Sequence, residues 1–367
     1  MELPLASADS HVVEPPDLWT SRLGARFGAR TPRVEHGGEG QPQAFFLCED
    51  VPAFGIGAFS AADVESQELP AHFRTGYEKV RPGGYDPAAR LRDQERDGIS
   101  AEVIYPSLGL QLFRIRDPEL QAATFVAYND WLAEYCAAAP QRLAGVAMIP
   151  LHDVSAGVRE LERAAGLGLR GGMIWLAAPD DRPYLDAIYE PLWAAAGAAR
   201  MPLSLHLGTA AAPLAGTAGL MPIQYMLTHL GIQKSIAQMI FGGVFERHPG
   251  LRIVSVENDI GWIPHYLARL DHAGKKYGAF CSTALRSKPS EYFRRHVRAT
   301  FQEDRLGIEL RERLGVETLL WASDYPHSDS TWPHSRSVVE RDFAGVPQDE
   351  LRRMVFENAV ELYGLRP

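Results

Sequence analysis

The sequence predicts an α/β protein built as a (β/α)8 barrel of the TIM type, and three observations carry that prediction. Eight short apolar runs alternate with longer amphipathic ones along the 367 residues. The runs are mostly continuous in apolar character, as in strands covered on both faces. Several of them end in a polar or ionisable residue, the placement expected where the carboxyl ends of barrel strands share one face. An open doubly wound sheet also alternates strand and helix. In such a sheet, however, residues closing the first, fifth, sixth and eighth strands would not generally converge.

Taken in order, the predicted strands are LASADSH (5–11), AEVIYPS (101–107), LAGVAMIPL (143–151), LRGGMIW (169–175), MPLSLHLG (201–208), LRIVSVEN (251–258), RATFQED (298–304) and TLLWASDY (318–325). Their closing polar residues are His11, Tyr105, His206, Glu257, Glu303 and Asp324. Asp117 and Pro118 read as N-cap and first residue of a helix carrying Leu120, Phe125, Trp131 and Leu132. Ser155 opens another, with Val158, Leu161 and Ala165 on one stripe, and 184–199, 223–245 and 350–363 read the same way. An insertion after the first strand, about residues 20–90, is too long for a barrel loop. It contains GGEGQPQ, FGIGAFSAADVESQELP and VRPGGYDP and is expected to lie, partly irregular, over the barrel mouth. Its tail DPAARLRDQERD reads as a helix packed on the barrel's outside, within a single domain spanning 1–367.

A formal charge of −9 and an isoelectric point near 5.8 argue against nucleic acid or an anionic membrane surface as partner. No apolar run reaches the ~18 residues of a membrane span, and MELPLASAD lacks the basic and apolar regions of a signal peptide. Cys48, Cys136 and Cys281 read as three buried free thiols in a reducing cytoplasm, with no CxxC motif among them.

The chemistry concentrates at four strand ends. In SADSHVVEPPDLW, Asp9 and His11 sit two residues apart, so both point to one face of the first strand. His206 closes PLSLHLG and Asp324 lies in LLWASDYPH. Two imidazoles and two carboxylates at four strand ends of one barrel make a site for one divalent metal ion. Taken singly, each has a plainer reading, as a hydrogen-bonded core histidine or a loop-start aspartate. Around them, Glu14 is either an acceptor for an imidazole N–H or a cap in the Pro15-Pro16 turn. One of His327 and His334 lines the pocket, or both are solvated. Arg114 and Arg116 either hold a substrate carboxylate or pair at the surface. Tyr105 and Trp175 either wall an aromatic substrate or pack. His229, His248, His265 and His272 receive no role.

DSHVVEP, the SLHLG histidine, ERHPGLRIVSVEN and WASDYPH together resemble the amidohydrolase superfamily. Within it they are similar to the branch of aminocarboxymuconate-semialdehyde decarboxylase and γ-resorcylate decarboxylase. The resemblance runs over nearly the whole chain in order and is loose over 30–85. It implies a (β/α)8 barrel with one divalent metal at the carboxyl face. The family's first-strand His-x-His corresponds to Asp9 and His11, its fifth-strand histidine to His206, and its eighth-strand aspartate to Asp324. Aspartate in place of the first histidine enriches the site in oxygen and leaves Zn²⁺ and Mn²⁺ both open. At the sixth strand a usually catalytic histidine is Glu257, which can carry the same proton if burial raises its pKa. LRGGMIWLAAPDD holds no lysine, against the two-metal hydrolases of the superfamily. The resemblance also implies a homodimer.

Such a site supports non-oxidative decarboxylation of a small aromatic or unsaturated carboxylic acid, Asp324 or Glu257 supplying the proton. The alternative is hydrolysis of an ester, lactone or amide by metal-activated water. A third reading is a metal-held binding module without catalysis. The glycine-rich GGYDP and GLGLRGG fit neither a P-loop nor a dinucleotide fingerprint.

Overall fold

A computed structural model describes residues 3–38, 43–210, 221–281 and 283–367. Its centre is an eight-stranded sheet of Leu5–His11, Ile99–Tyr105, Leu143–Met148, Gly171–Ile174, Leu203–His206, Ile253–Val256, Val297–Phe301 and Leu319–Trp321, each hydrogen-bonded to the next. All seven pairings are parallel. The eight predicted strands are these eight, and the barrel is the observed fold. Its ends are brought together just beyond the last strand, where Asp324 N–H donates to Asp9 O at 2.9 Å and His11 N–H to Tyr325 O at 2.6 Å. The strand interiors are almost entirely buried, as the continuous apolar runs require.

The first strand is not regular. Its pairing with the second shifts between Ser7 and Ser10, so Ser7 and Ser10 come to one side and exchange a hydroxyl hydrogen bond at 2.9 Å. Bulges of this kind re-aim side chains beside active sites, and here Asp9 and His11 are turned together into the barrel mouth.

The helices follow local chemistry. Asp117 caps Pro118–Cys136 by accepting from Glu119 N and Leu120 N. The helix expected to open at Ser155 is Val154–Gly166, and Asp153 rather than Ser155 is its cap. The 184–199 helix is confined to Glu190–Ala199, with Pro191 in its first turn, after a 3-10 turn capped by Asp186. The 223–245 segment divides into Met221–Met226, His229–Phe241 and Val244–Arg247, the last break being made by Gly243 at φ 71°. The final segment runs Gln348–Arg352, a π turn Arg353–Glu357 and Asn358–Tyr363.

The excursion after the first strand is more ordered than its loop-like composition suggests. It contains the helix Leu18–Phe27 and an antiparallel sheet of Arg33–His36, Ala44–Cys48 and Val51–Gly55. Trp19 is buried, its indole N–H donating to Thr124 O at 3.0 Å and its ring 5.4 Å from Phe46, so this part sits on the barrel's flank. Further on, Ala61 N–H and Ala62 N–H both donate to Pro326 O in the loop after the eighth strand. Its tail is the helix Pro87–Asp97, capped by Asp86.

Two further expectations are corrected. Of the three unpaired cysteines only Cys136 is buried; Cys48 and Cys281 are partly exposed. Glu303 lies beyond its strand at the surface, paired with Arg341, because Val297–Phe301 ends two residues earlier. No helix among the described residues is long and apolar enough to cross a membrane.

Candidate active site and metal centre

Asp9, His11, His206 and Asp324 meet at the carboxyl ends of the first, fifth and eighth strands, all fully buried. His11 Nε2 lies 3.3 Å from Asp9 Oδ1 and 3.3 Å from Asp324 Oδ1, and His206 Nε2 is 3.5 Å from Asp9 Oδ1. The far side of each imidazole is fixed. His11 Nδ1 is 2.7 Å from Pro106 O and His206 Nδ1 is 2.8 Å from Leu207 O. A carbonyl only accepts, so both rings carry their proton on Nδ1 and turn an Nε2 lone pair inward, the arrangement used by metal-binding histidines.

Six atoms at this one point, both carboxylate oxygens of Asp9 and of Asp324 and the Nε2 atoms of His11 and His206, are buried with no hydrogen-bond partner among the described residues. Buried polar atoms are nearly always satisfied, and leaving one unmet costs about 1–3 kcal/mol. Six acceptors around one point, with no donor among them, fit a divalent cation. Nitrogen and carboxylate oxygen in this mixture suit both Zn²⁺ and Mn²⁺. Two triads, Asp9–His11–His206 and His11–Asp324–His327, each have ligating atoms within 4.8 Å of one another.

The electrostatics agree with that geometry. Burial pushes the Asp9 carboxyl up, but the His11 and His206 imidazoles beside it outweigh burial and hold Asp9 well below the usual carboxylate range. His206 is raised despite burial, by Asp9 and Glu257, whereas burial and the neighbouring His327 push His11 down to about 3. Asp324 is raised well above its ordinary value by burial and by Asp9. Glu257 likewise is raised, by burial and then by Asp324. It stands at the open side of the cluster, 3.6 Å from His206 Nδ1 and 19% exposed. Glu257 and Asp324 both hold left-handed backbone, at φ 59° and 52°, a conformation that costs a non-glycine residue energy and concentrates at functional sites.

The softer sequence readings divide. His327 enters the site: its ring lies 3.9 Å from that of His11, Nδ1 is 3.1 Å from Asp324 Oδ1 and Nε2 is 2.9 Å from Ser107 Oγ. His334 is exposed beside Asp63. Glu14 accepts from Leu108 N and Gly109 N at 2.9 and 2.8 Å, not from an imidazole, because Pro106 O already occupies His11 Nδ1. It anchors the turn that carries Pro106 and Ser107, and burial lifts its pKa to about 7. Tyr105 packs 5.0 Å from the His206 ring, with its hydroxyl on Ser204 and Tyr363, so it floors the site. Trp175 is buried, donating to Phe113 O at 3.3 Å. Arg114 is half-buried with its Nε unpartnered among the described residues, and Arg116 is exposed with its backbone N–H on Asp50. Sequence reasoning missed the supporting atoms Pro106 O and Ser107 Oγ. It also missed Asp329, which accepts from Tyr225 OH at 2.6 Å. The only sequence signal for His327 was its place three residues after Asp324 in SDYPH.

An eight-stranded parallel barrel with imidazoles and carboxylates gathered at its carboxyl face defines the class of metal-assisted barrel enzymes. The family model described as amidohydrolase matches residues 79–365, and the chain belongs to that family. It is 30% identical over 252 residues to γ-resorcylate decarboxylase of Rhodococcus jostii, covering 61% of this chain and 74% of the relative. It is 24% identical over 312 residues to 2-amino-3-carboxymuconate-6-semialdehyde decarboxylase of Dictyostelium discoideum, covering 79% and 80%. These relatives place it in the decarboxylase-containing branch. Among solved structures, an amidohydrolase from Mycobacterium avium subsp. paratuberculosis superposes with a TM-score of 0.80 at 22% identity, over 99% of this chain and 100% of that one. Dihydroxybenzoic acid decarboxylase from Polaromonas, with bound manganese and 2-nitroresorcinol, gives 0.69 at 19% identity, over 100% and 98%. At these identities the structures speak for the fold.

Proposed function

We propose that this protein is a metal-dependent, non-oxidative decarboxylase of a small aromatic or unsaturated carboxylic acid. The observation that carries the proposal is the set of six unpartnered buried atoms on Asp9, His11, His206 and Asp324. These four residues would hold one divalent ion, Zn²⁺ or Mn²⁺. When bound, the ion supplies an electrostatic anchor for the substrate carboxylate and a neighbouring oxygen. The decarboxylases among the relatives and the manganese-bound Polaromonas neighbour support the reading.

The chain's own groups then account for the proton. Burial, and then the neighbouring Asp324, raise the Glu257 pKa well above the ordinary carboxylate range, which favours the acid form that a proton donor needs. Its proton passes to the carbon that bears the carboxylate. The bond from that carbon to the carboxylate carbon then breaks, its electron pair remains with the ring or double bond, and CO₂ leaves. Asp324 contributes to the raised Glu257 pKa. His327, its ring tilted by 33° and 3.9 Å from that of His11, and the Tyr105 floor restrict where a planar substrate can lie.

We further infer a single barrel domain whose excursion reaches over the mouth, supported by the bonds of Ala61 and Ala62 to Pro326 O and by Phe59 beside His327. A homodimer is supported by the exposed apolar side chains Ile223, Tyr225, Met226 and Leu230, and sedimentation tests it. The unpaired cysteines suit a cytoplasmic location.

The test is metal content by elemental analysis of protein purified without chelator, followed by CO₂ release from a panel of ortho-hydroxybenzoates. About one equivalent of zinc or manganese, lost in His206→Ala while the barrel stays folded, is the expected result. Absence of metal even after titration would overturn the reading. Metal without CO₂ release, but with turnover of esters or lactones, would replace decarboxylation by hydrolysis.

A further inference from the structure

Among the side chains that the helix Pro87–Asp97 turns inward is an arginine that the proposed reaction does not use. Arg90 is fully buried. Its Nε donates to Glu102 Oε2 on the second strand at 2.6 Å, and its Nη1 donates to His11 O at 2.6 Å. Its guanidinium lies 4.4 Å from the ring centre of Tyr325, the residue after Asp324. Glu102 is itself held by Gln94 Nε2 at 2.5 Å and Ser10 Oγ at 3.1 Å. Tyr325 is held in turn by Asp93 of the same helix, which accepts from its hydroxyl at 2.5 Å.

A buried ion pair is weak support for stability, because desolvating two charges offsets most of their attraction, and apolar replacements are often neutral or better. What this pair does have is placement. One planar cation touches the backbone of His11, a carboxylate on the adjacent strand and the ring that follows Asp324. At this seam His11 N–H donates to Tyr325 O and Asp324 N–H to Asp9 O. The first and eighth strands therefore meet with the guanidinium against them, and their spacing decides whether Asp9 and His11 reach the same ion as Asp324.

We propose that Arg90, with Glu102, is a positioning residue for the metal centre: it sets the separation of the first-strand ligands from Asp324. The inference rests on the metal reading above. Displaced supporting groups around metal ligands weaken affinity about ten- to a hundredfold, and that is the size expected here.

The test compares wild type, Arg90→Met and the double variant Arg90→Met/Glu102→Gln in two measurements. One is Mn²⁺ affinity, by titration followed by electron paramagnetic resonance; the other is the melting temperature of the metal-free protein. The single variant leaves Glu102 charged, buried and short of its main partner, so it melts lower. The double variant removes that charge and recovers most of the melting temperature, while its Mn²⁺ affinity stays about ten- to a hundredfold below wild type. Should the single variant fail to fold, the double variant decides alone. Wild-type affinity in the double variant would overturn the proposal and leave Arg90 a merely structural residue. Wild type that takes up no metal would overturn the metal reading itself, a result separable from the first.

Discussion

Asp324→Asn separates a ligand from a structural residue more sharply than any other single change, because its effect on stability changes sign with metal. In the metal-free protein the Asp9 and Asp324 carboxylates both lie 3.3 Å from one His11 nitrogen. At that proximity, with an effective dielectric near 20, their repulsion is worth at least about 2 kcal/mol, or Asp324 takes up a proton to avoid it. Burial first, and then the charge of Asp9, raise the Asp324 pKa. Asparagine neither repels nor titrates, and it tolerates the left-handed backbone at φ 52° that position 324 adopts. The metal-free variant is therefore more stable than wild type, by a margin that grows as pH rises above the unfolded carboxyl range and reaches about 2 kcal/mol. With metal the order reverses. Ion at about a hundredfold over Kd adds about 2.7 kcal/mol to wild type, and the variant, having lost an anionic ligand, gains much less. Urea unfolding of chelator-treated protein at pH 8, with and without Mn²⁺, reads both numbers. A variant less stable than wild type by the same amount in both conditions would refute the reasoning and make Asp324 a structural residue.

Two further outcomes follow from the same electrostatics. Glu257→Gln retains metal but loses at least about a hundredfold in rate. Wild-type activity falls as pH rises through the raised Glu257 pKa, since the acid form is the active one, and the glutamine variant lacks that limb. An unchanged pH–rate curve would remove Glu257 from the mechanism. Far from the site, His296 is buried against Phe245 with Nδ1 on Leu251 O, and burial pushes its pKa from 6.5 down to about 4. The folded state then binds fewer protons than the unfolded one between pH 6.5 and 4, so this stability is complete above pH 6.5 and is lost as pH falls. His296→Phe should narrow its stability gap to wild type by about 2 kcal/mol between pH 7 and pH 5, measured by urea unfolding of the metal-free proteins. A gap independent of pH would show that His296 does not titrate on unfolding.

The barrel was legible because its signal is repeated. Each strand buries both faces and each announces itself by a continuous apolar run, so an error at one element leaves the other seven. The excursion after the first strand had no such redundancy. Its three-stranded sheet is made from short segments, RVEH, AFFLC and VPAFG, whose pairing is set by contact with the flank of the barrel rather than by local propensity. Glu14 illustrates the same limit at the site. Three residues beyond His11, it reads equally well as a partner of the imidazole, and only the path of the chain through Pro106 decides that a carbonyl takes that place. Arg90 was invisible for the opposite reason. In a run of charges such as ARLRDQERD, nothing local distinguishes the one arginine that folding turns inward from those that remain in solvent.

The pairing of Asp9 with His11 was inferred from alternation along a regular strand, yet the strand is irregular where they stand. On a regular strand Ser7, Asp9 and His11 would share one face and Ser10 the other. Instead the register shift between Ser7 and Ser10 sends both serines away from the mouth. There Ser7 Oγ accepts from Ser323 N at 2.8 Å and donates to Asp9 O at 2.8 Å. Ser10 Oγ reaches Glu102. One irregularity thus does two things: it turns the ligands inward, and it turns hydroxyls outward to fasten the first strand to the eighth. Ser323 thereby ties the first strand to the eighth next to Asp324 without touching the ligand atoms. The seam between first and eighth strands is consequently the part of this barrel where small side chains carry the geometry of the site.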